Sequence, residues 1–350
     1  MTDLGEPVHL TTKAEVLALD VVGIGFPLVD VLALAEDELL GELDLVKGSM
    51  TLIDHARAER IYAAMGPGTE VSGGSAANTM AGIAALGGTA GFIGRIADDE
   101  LGRIFTHDIR STGVVFEPVM LADDGEDTIE TTTTGRCHVL STADAERTMA
   151  TFLGAGSLLT PAHVDPAFVA RGQLCYLEGY QWDLEPAKAA MRKAIAAAHD
   201  AGGIVALTLS DSFCVERHQA DWLQLAEGDL DVIFANEDEI MALFSSDTFE
   251  HALDAVEETG VLAAITTGPA GAIVVTPNGR ITVPAVEAQR IETTGAGDLF
   301  ASGFCYGLTH GFDPESAARL GNLCAAEIIS HMGARPVADL AELAAEAGLL

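Results

Sequence analysis

The stretch RIETTGAGDLFASGF, residues 290–304, sets Gly295, Ala296 and Gly297 directly before one carboxylate, Asp298, and then turns apolar at helical spacing. If a helix opens near Gly295, the N–H groups of Ala296, Gly297 and Asp298 lack partners within it and point outward as donors. Glycine admits a close approach, and the positive end of the helix dipole adds to those donors, so the turn suits anionic phosphate oxygens. Asp298, kept anionic by the same dipole, can then take a proton from a hydroxyl brought up to the phosphate. The same residues also read as a tight turn followed by a first-turn capping acid.

Such a turn needs a rigid frame, and from about residue 160 the pattern alternates helix and strand. DLEPAKAAMRKAIAAAHDAGG has Asp183 as a cap, Pro186 in the first turn and Gly202-Gly203 as a stop. The runs IVALTLS, LDVIFAN and VLAAITTG read as buried strands, with an acidic helix start at EDEIMALF. Alternation with short connections predicts a parallel α/β sheet. Asn278-Gly279 between two β-branched runs predicts a hairpin. Two helices should close the chain, one following residues 295–297 and one opening at Asp313-Pro314 and stopping near Gly333.

The N-terminal part reads differently. LDVVGIGFPLVDVLA predicts one buried strand whose continuation carries Asp30, and GGSAANTMAGIAALGG a small-residue helix opened by Gly73 and Gly74. The intervening segments are rich in Thr, Gly and charge, with β propensity and no helical period. They are expected to form a small sheet outside the main domain. The division is therefore 1–30, 73–113 and 153–350 for a large α/β domain, and 31–72 with 114–152 for a lid whose apolar residues include Val114, Val115 and Phe116.

Composition narrows the partners. The chain has 350 residues, 49% of them hydrophobic, enough for a large core, and its net charge of −35 repels nucleic acid and anionic membrane surfaces. A small molecule is the expected partner, and the acidity itself suits a soluble surface, as in a saline environment. Five cysteines, at 137, 175, 214, 305 and 324, are far apart and form no CxxC pair, which fits a reducing compartment. The start MTDLGEPVHLTTKAEV lacks signal-peptide character and no apolar run reaches membrane-spanning length, so a cytoplasmic location is expected.

ETTGAGD at 292–298 resembles the D-T-x-G-A-G-D signature of the PfkB carbohydrate kinases, the ribokinase-like family. Further matches follow in that family's order: SGGSAAN at 72–78 its N-terminal glycine pair, ANEDE at 235–239 its N-x-x-E motif, and TTGPAG at 266–271 its T-x-G strand end. GFPLVD at 25–30, TLSDSF at 208–213 and the segment TGRC…ERTMATFLGAG are most similar to the adenosine kinase branch.

The resemblance implies a ribokinase-like three-layer α/β/α domain with a mostly parallel sheet and a small discontinuous β lid. It also implies an ATP- and Mg²⁺-dependent kinase that phosphorylates the 5′-hydroxyl of a nucleoside, with a sugar as the alternative acceptor. Asp298 would be the base, with Gly295, Ala296 and Gly297 as the anion hole and Arg147 reaching the transferring phosphate. Asp30 would grip two ribose hydroxyls, Gly73 and Gly74 would form the lid hinge, Asn78 would add a sugar contact, and Phe213 would stack on a purine or else pack in the core. Asn236 and Glu239 would organise Mg²⁺ through water, unless they are only a strand-end turn. Thr266, Gly268 and Asn322 would line the nucleotide groove.

Three departures stand out. Glu292 replaces the signature's first Asp, a position that helps ligate a monovalent cation such as K⁺ in some members, which puts potassium activation in doubt. Phe26 stands where adenosine kinases commonly carry Asn, and TTGPAG lacks the charged residues often found in that loop. A non-catalytic nucleoside-binding regulator is the rival from another class, against which the intact Asp298 and anion hole speak. The GIG at 23–25 does not support a dinucleotide-dependent oxidoreductase, because Phe26-Pro27 follows where a helix would have to open. A monomer and a homodimer are both compatible with the pattern.

Overall fold

A computed structural model describes residues 19–117, 119–120, 133–144 and 146–350. Its strands, in chain order, are β1 (Leu19–Ile24), β2 (Leu28–Leu34), β3 (Met50–Leu52), β4 (Thr69–Gly73), β5 (Ala90–Ile93), β6 (Arg95–Ile96), β7 (Val115–Phe116) and β8 (Val119–Met120). They continue with β9 (Gly135–Ser141), β10 (Arg147–Phe152), β11 (Gly172–Glu178), β12 (Ile204–Thr208), β13 (Val232–Asn236), β14 (Leu262–Thr266), β15 (Ala272–Thr276) and β16 (Gly279–Val283).

Nine strands form one sheet in the order β16-β15-β14-β13-β12-β11-β1-β5-β7. All its pairings are parallel except β14 with β15 and β15 with β16, the latter being the hairpin expected at Asn278-Gly279. Helices cover both faces, which is why the central strands read as continuous apolar runs. On one face Val22, Ile24, Leu177 and Ile233 pack with Met191, Trp222 and Ile240. On the other, Val21, Tyr176 and Phe234 pack with Met80, Phe300 and Phe304 from the helices Ser75–Ala85 and Ala296–Thr309. Each large apolar side chain fully buried this way contributes roughly 1.5–3 kcal/mol.

Five strands form a second sheet in the order β3-β10-β9-β2-β4. Its back face buries Leu140 and Ala150 against Leu40, Leu45 and Ile61, the first and last of these carried by the helices Asp37–Glu42 and His55–Ala64. On the front face the register sets Asp30, Cys137 and Thr151 abreast on β2, β9 and β10.

Several local expectations change. LDVVGIGFPLVDVLA is two strands in two sheets, because Pro27 has no N–H for a ladder and the Phe26 N–H donates instead to Glu178 Oε1. The segment 31–72 carries two helices as well as strands. Val115 and Phe116 extend the large sheet beside β5, and Val114 and Phe116 belong to its core, so these are not lid residues. Asp183 caps no helix: Arg217 and His218 hold its carboxylate, and the helix Glu185–Ala201 opens with Leu184 at its N-cap. Gly202 does end that helix, in the left-handed region at φ 76°. The helix Pro314–Ile328 stops before Gly333, and a third helix, Leu340–Glu346, follows it. All five cysteines are buried free thiols, and no helix among the described residues is long and apolar enough to cross a membrane.

Candidate active site

The carboxyl ends of β1, β11, β12, β13 and β14 lie side by side, with Ile24 against Leu177, Glu178 against Thr208 and Asn236 against Thr266. Open α/β sheets bind their ligands beyond this edge. The helix Ala296–Thr309 opens there. Its N-cap, Gly295, has φ 78°, a conformation most side chains would strain to adopt. The Ala296 N–H donates to the Thr293 carbonyl at 3.2 Å, so it is spent in the turn and not available as expected. The N–H groups of Gly297 and Asp298 have no partner among the described residues, and a Cβ on Gly297 would meet nothing within 4 Å. Two amides at the helix start are therefore free among the described residues, and the space beside Gly297 is open.

Asp298 forms no ion pair among the described residues. Ser75 Oγ donates to its Oδ1 at 2.6 Å and Asn78 Nδ2 to its Oδ2 at 3.0 Å, both from the first turn of the helix Ser75–Ala85. Its pKa is not lowered, although the dipole alone would lower it. Desolvation raises its pKa above the usual carboxylate value, against the pull of Ser75, Asn78 and Arg335. A raised pKa makes a stronger base near neutrality. Asn78 thus holds Asp298 with its amide N–H, while its own Oδ1 is buried and has no partner among the described residues.

Asp30, on the front of the small sheet, lies within electrostatic range of Asp298, Glu292, Arg147 and Arg335. Burial pushes its pKa up to about 7; Arg335 and Arg147 pull it down, and Asp298 and Glu292 push it further up. The tertiary fold thus brings together Asp30, Asp298 and Arg147. Gly73 abuts the Asp30 carboxylate, and Gly74, at φ 95°, is the N-cap of the Ser75–Ala85 helix.

Arg147 reaches from the small sheet to the loop before the helix Ala296–Thr309. Its Nη1 forms an ion pair with Glu292 Oε1 and donates to Thr294 Oγ1 at 2.9 Å, while Nε and Nη2 have no partner among the described residues. It is therefore not wholly free.

At the next strand ends, Asn236 and Glu239 form a reciprocal capping box: Asn236 Oδ1 accepts from the Glu239 N–H at 2.8 Å, and Glu239 Oε2 from the Asn236 N–H at 3.0 Å. Burial raises the Glu239 pKa to about 7, with Asp211 and Asp238 adding repulsion. A buried carboxylate in an acidic neighbourhood is the donor chemistry a hard cation fits. Thr266 ends β14 and Gly268 opens the next turn at φ 58°. Asn322 is tied down, its Nδ2 donating to the Val283 and Pro284 carbonyls, so it fixes the chain after β16. Phe213 is 70% exposed at the start of the helix Ser212–Ala226, which excludes core packing.

Two further residues escaped the sequence reading. Glu178, 1% exposed at the end of β11, accepts from the Ala76 and Phe26 N–H groups, and burial raises its pKa to about 8. Arg335 donates to Ser72 O, Ser72 Oγ and Ala77 O, and burial lowers its pKa to about 10. A lone Arg in HMGARPVAD and a lone Glu at a strand end carry no spacing signal. Scarcity of basic residues was the one hint for Arg335, with Lys plus Arg at 18 against Asp plus Glu at 53.

The chain belongs to the pfkB family of carbohydrate kinases, whose model matches residues 46–340. It is accordingly a phosphotransferase, an ATP-dependent kinase with the ribokinase-like fold expected from its motifs. It is 44% identical to a chain described as the adenosine kinase from Sinorhizobium meliloti, at a TM-score of 0.85, covering 94% of this chain and 99% of that one. A chain described as a "probable sugar kinase protein" from Rhizobium etli CFN 42 is 41% identical at a TM-score of 0.87, covering 95% and 99%. The ATP-dependent ribose-1-phosphate kinase of Halopiger xanaduensis is 31% identical over 76% of this chain and 84% of that protein.

Proposed function

We propose that this kinase phosphorylates the 5′-hydroxyl of a nucleoside, with adenosine as its acceptor. The observation that carries the reading is Asp298, desolvated and without an ion pair among the described residues, beside two unpartnered helix-terminal amides and electrostatically coupled to Asp30. Asp298 removes the hydroxyl proton, the freed oxygen attacks the γ-phosphorus of ATP in line, and ADP leaves. The amides of Gly297 and Asp298, shaped by Gly295 and Ala296, receive the charge that develops on the phosphoryl oxygens. The Nε and Nη2 donors of Arg147 are left for the same group.

Asp30 accepts from two ribose hydroxyls, and the exposed ring of Phe213 offers a stacking face for the base. Glu239 and Asn236 would hold Mg²⁺ through water, where the ion would neutralise charge on the nucleotide phosphates. Thr266, Gly268 and the chain fixed by Asn322 would border the nucleotide. The identity to the Sinorhizobium meliloti adenosine kinase supports the acceptor assignment.

A sugar or sugar phosphate is the second reading, favoured by the ribose-1-phosphate kinase relative. Following ATP consumption with adenosine, inosine, ribose, ribose 1-phosphate and fructose separates them. Adenosine should give the highest kcat/KM. No turnover with any nucleoside overturns the assignment.

A further inference from the structure

The signature position at which some family members help bind a monovalent cation is Glu292 here, and its surroundings do not fit one. Glu292 is 7% exposed. Its Oε1 is ion-paired with Arg147 Nη1, and its Oε2 accepts the Gly333 N–H at 2.9 Å. The Ile291 and Glu292 N–H groups both donate to the Ile329 carbonyl, at 2.7 and 3.2 Å. The loop before the anion hole and the loop after the helix Pro314–Ile328 are thus joined directly by hydrogen bonds.

A cation such as K⁺ binds where oxygen charge is not already neutralised. Here Oε2 accepts an N–H, and the Arg147 guanidinium lies against Oε1, where it neutralises the carboxylate and repels a second positive charge. Glutamate is one methylene longer than the usual aspartate, which lets a carboxylate rooted in the 290–295 loop meet an arginine on β10.

We propose that Arg147 is this kinase's built-in cation: through Glu292 and Thr294 it positions the loop that forms the anion hole, and turnover does not depend on K⁺. The proposal rests on the phosphotransfer reading. It makes Arg147 a positioning residue through Nη1, distinct from the Nε and Nη2 donors turned to phosphate.

The test compares KCl with tetramethylammonium chloride at equal ionic strength, for the wild type and Glu292→Asp. Wild-type kcat should agree within about twofold between the salts, and the melting temperature of the ligand-free protein should be the same in both. Glu292→Asp, whose shorter carboxylate no longer reaches Arg147, should lose about tenfold in tetramethylammonium and recover in KCl. Wild-type activation by K⁺ beyond about fivefold overturns the proposal, as does equal loss by Glu292→Asp in both salts, the mark of a merely structural contact. If no acceptor is turned over in any salt, the kinase reading fails by itself, and the melting comparison still decides the cation question, because K⁺-specific stabilisation of the wild type refutes a built-in cation.

Discussion

Gly73 lies so close to Asp30 that a Cβ built on it would stand 2.4 Å from Oδ2 of the carboxylate. The glycine at the end of β4 therefore sets where Asp30 rests on β2, its antiparallel neighbour. Gly73→Ala should push the carboxylate aside and leave the fold intact, since the obstructed atoms are the end of a side chain and Gly73 has no left-handed φ. Steady-state kinetics should show acceptor KM raised about tenfold with kcat changed far less. A lower kcat at unchanged KM would mean Asp30 does not hold the acceptor.

Asp298→Asn keeps the shape of the residue but removes the base. Loss of a general base costs about 10²- to 10⁴-fold, so single-turnover phosphoryl transfer should fall within that range while equilibrium nucleoside binding stays near wild type. Near-normal turnover would remove Asp298 from the mechanism.

Asp30 should make acceptor binding depend on pH. Its pKa of about 7 means that much of it is protonated, and a poorer acceptor, on the acid side of neutrality. Acceptor KM should fall as pH rises through about 7 in the wild type and be flat in Asp30→Asn. Arg335 is the strongest influence pulling that pKa down, so Arg335→Met should move the KM transition to higher pH. An unmoved transition would place Arg335 outside the electrostatics of the cleft.

Stability should carry the opposite sign. Glu178 titrates near 8 when folded and near 4.5 when unfolded, so the folded state holds the extra proton between those values. Its contribution is complete below about 4.5 and is lost as pH rises through about 8, at up to about 1.4 kcal/mol per pH unit. Thermal melts from pH 5 to pH 8 should show a falling melting temperature, with a shallower slope in Glu178→Gln. Parallel slopes in the two proteins would assign the pH dependence to other groups.

The elements around Asp298 were legible because they rest on local physics. Asn278-Gly279 demands a particular hairpin turn, Gly202 ends a helix by its backbone freedom, and the run at 292–298 carries its own helix start. Asp183 misled because an acid before a helix resembles a cap wherever its real partners, Arg217 and His218, lie 34 and 35 residues away. Val115 and Phe116 misled because a two-residue strand has no period to read, and only its pairing with β5 places it in the large sheet.

The sequence by itself determined where the glycine-opened helix start would form, which residue would follow it, and the alternation that builds a parallel sheet, because turn chemistry and side-chain period act over a few neighbours. The tertiary structure decided what those groups meet. Asp298 lies 220 residues from the Asn78 that orients it, and Arg147 lies 147 from the Thr294 it holds. Burial there turns a dipole-stabilised acid into one with a raised pKa. Desolvation and charge coupling depend on distance in space, which a linear order of residues does not contain.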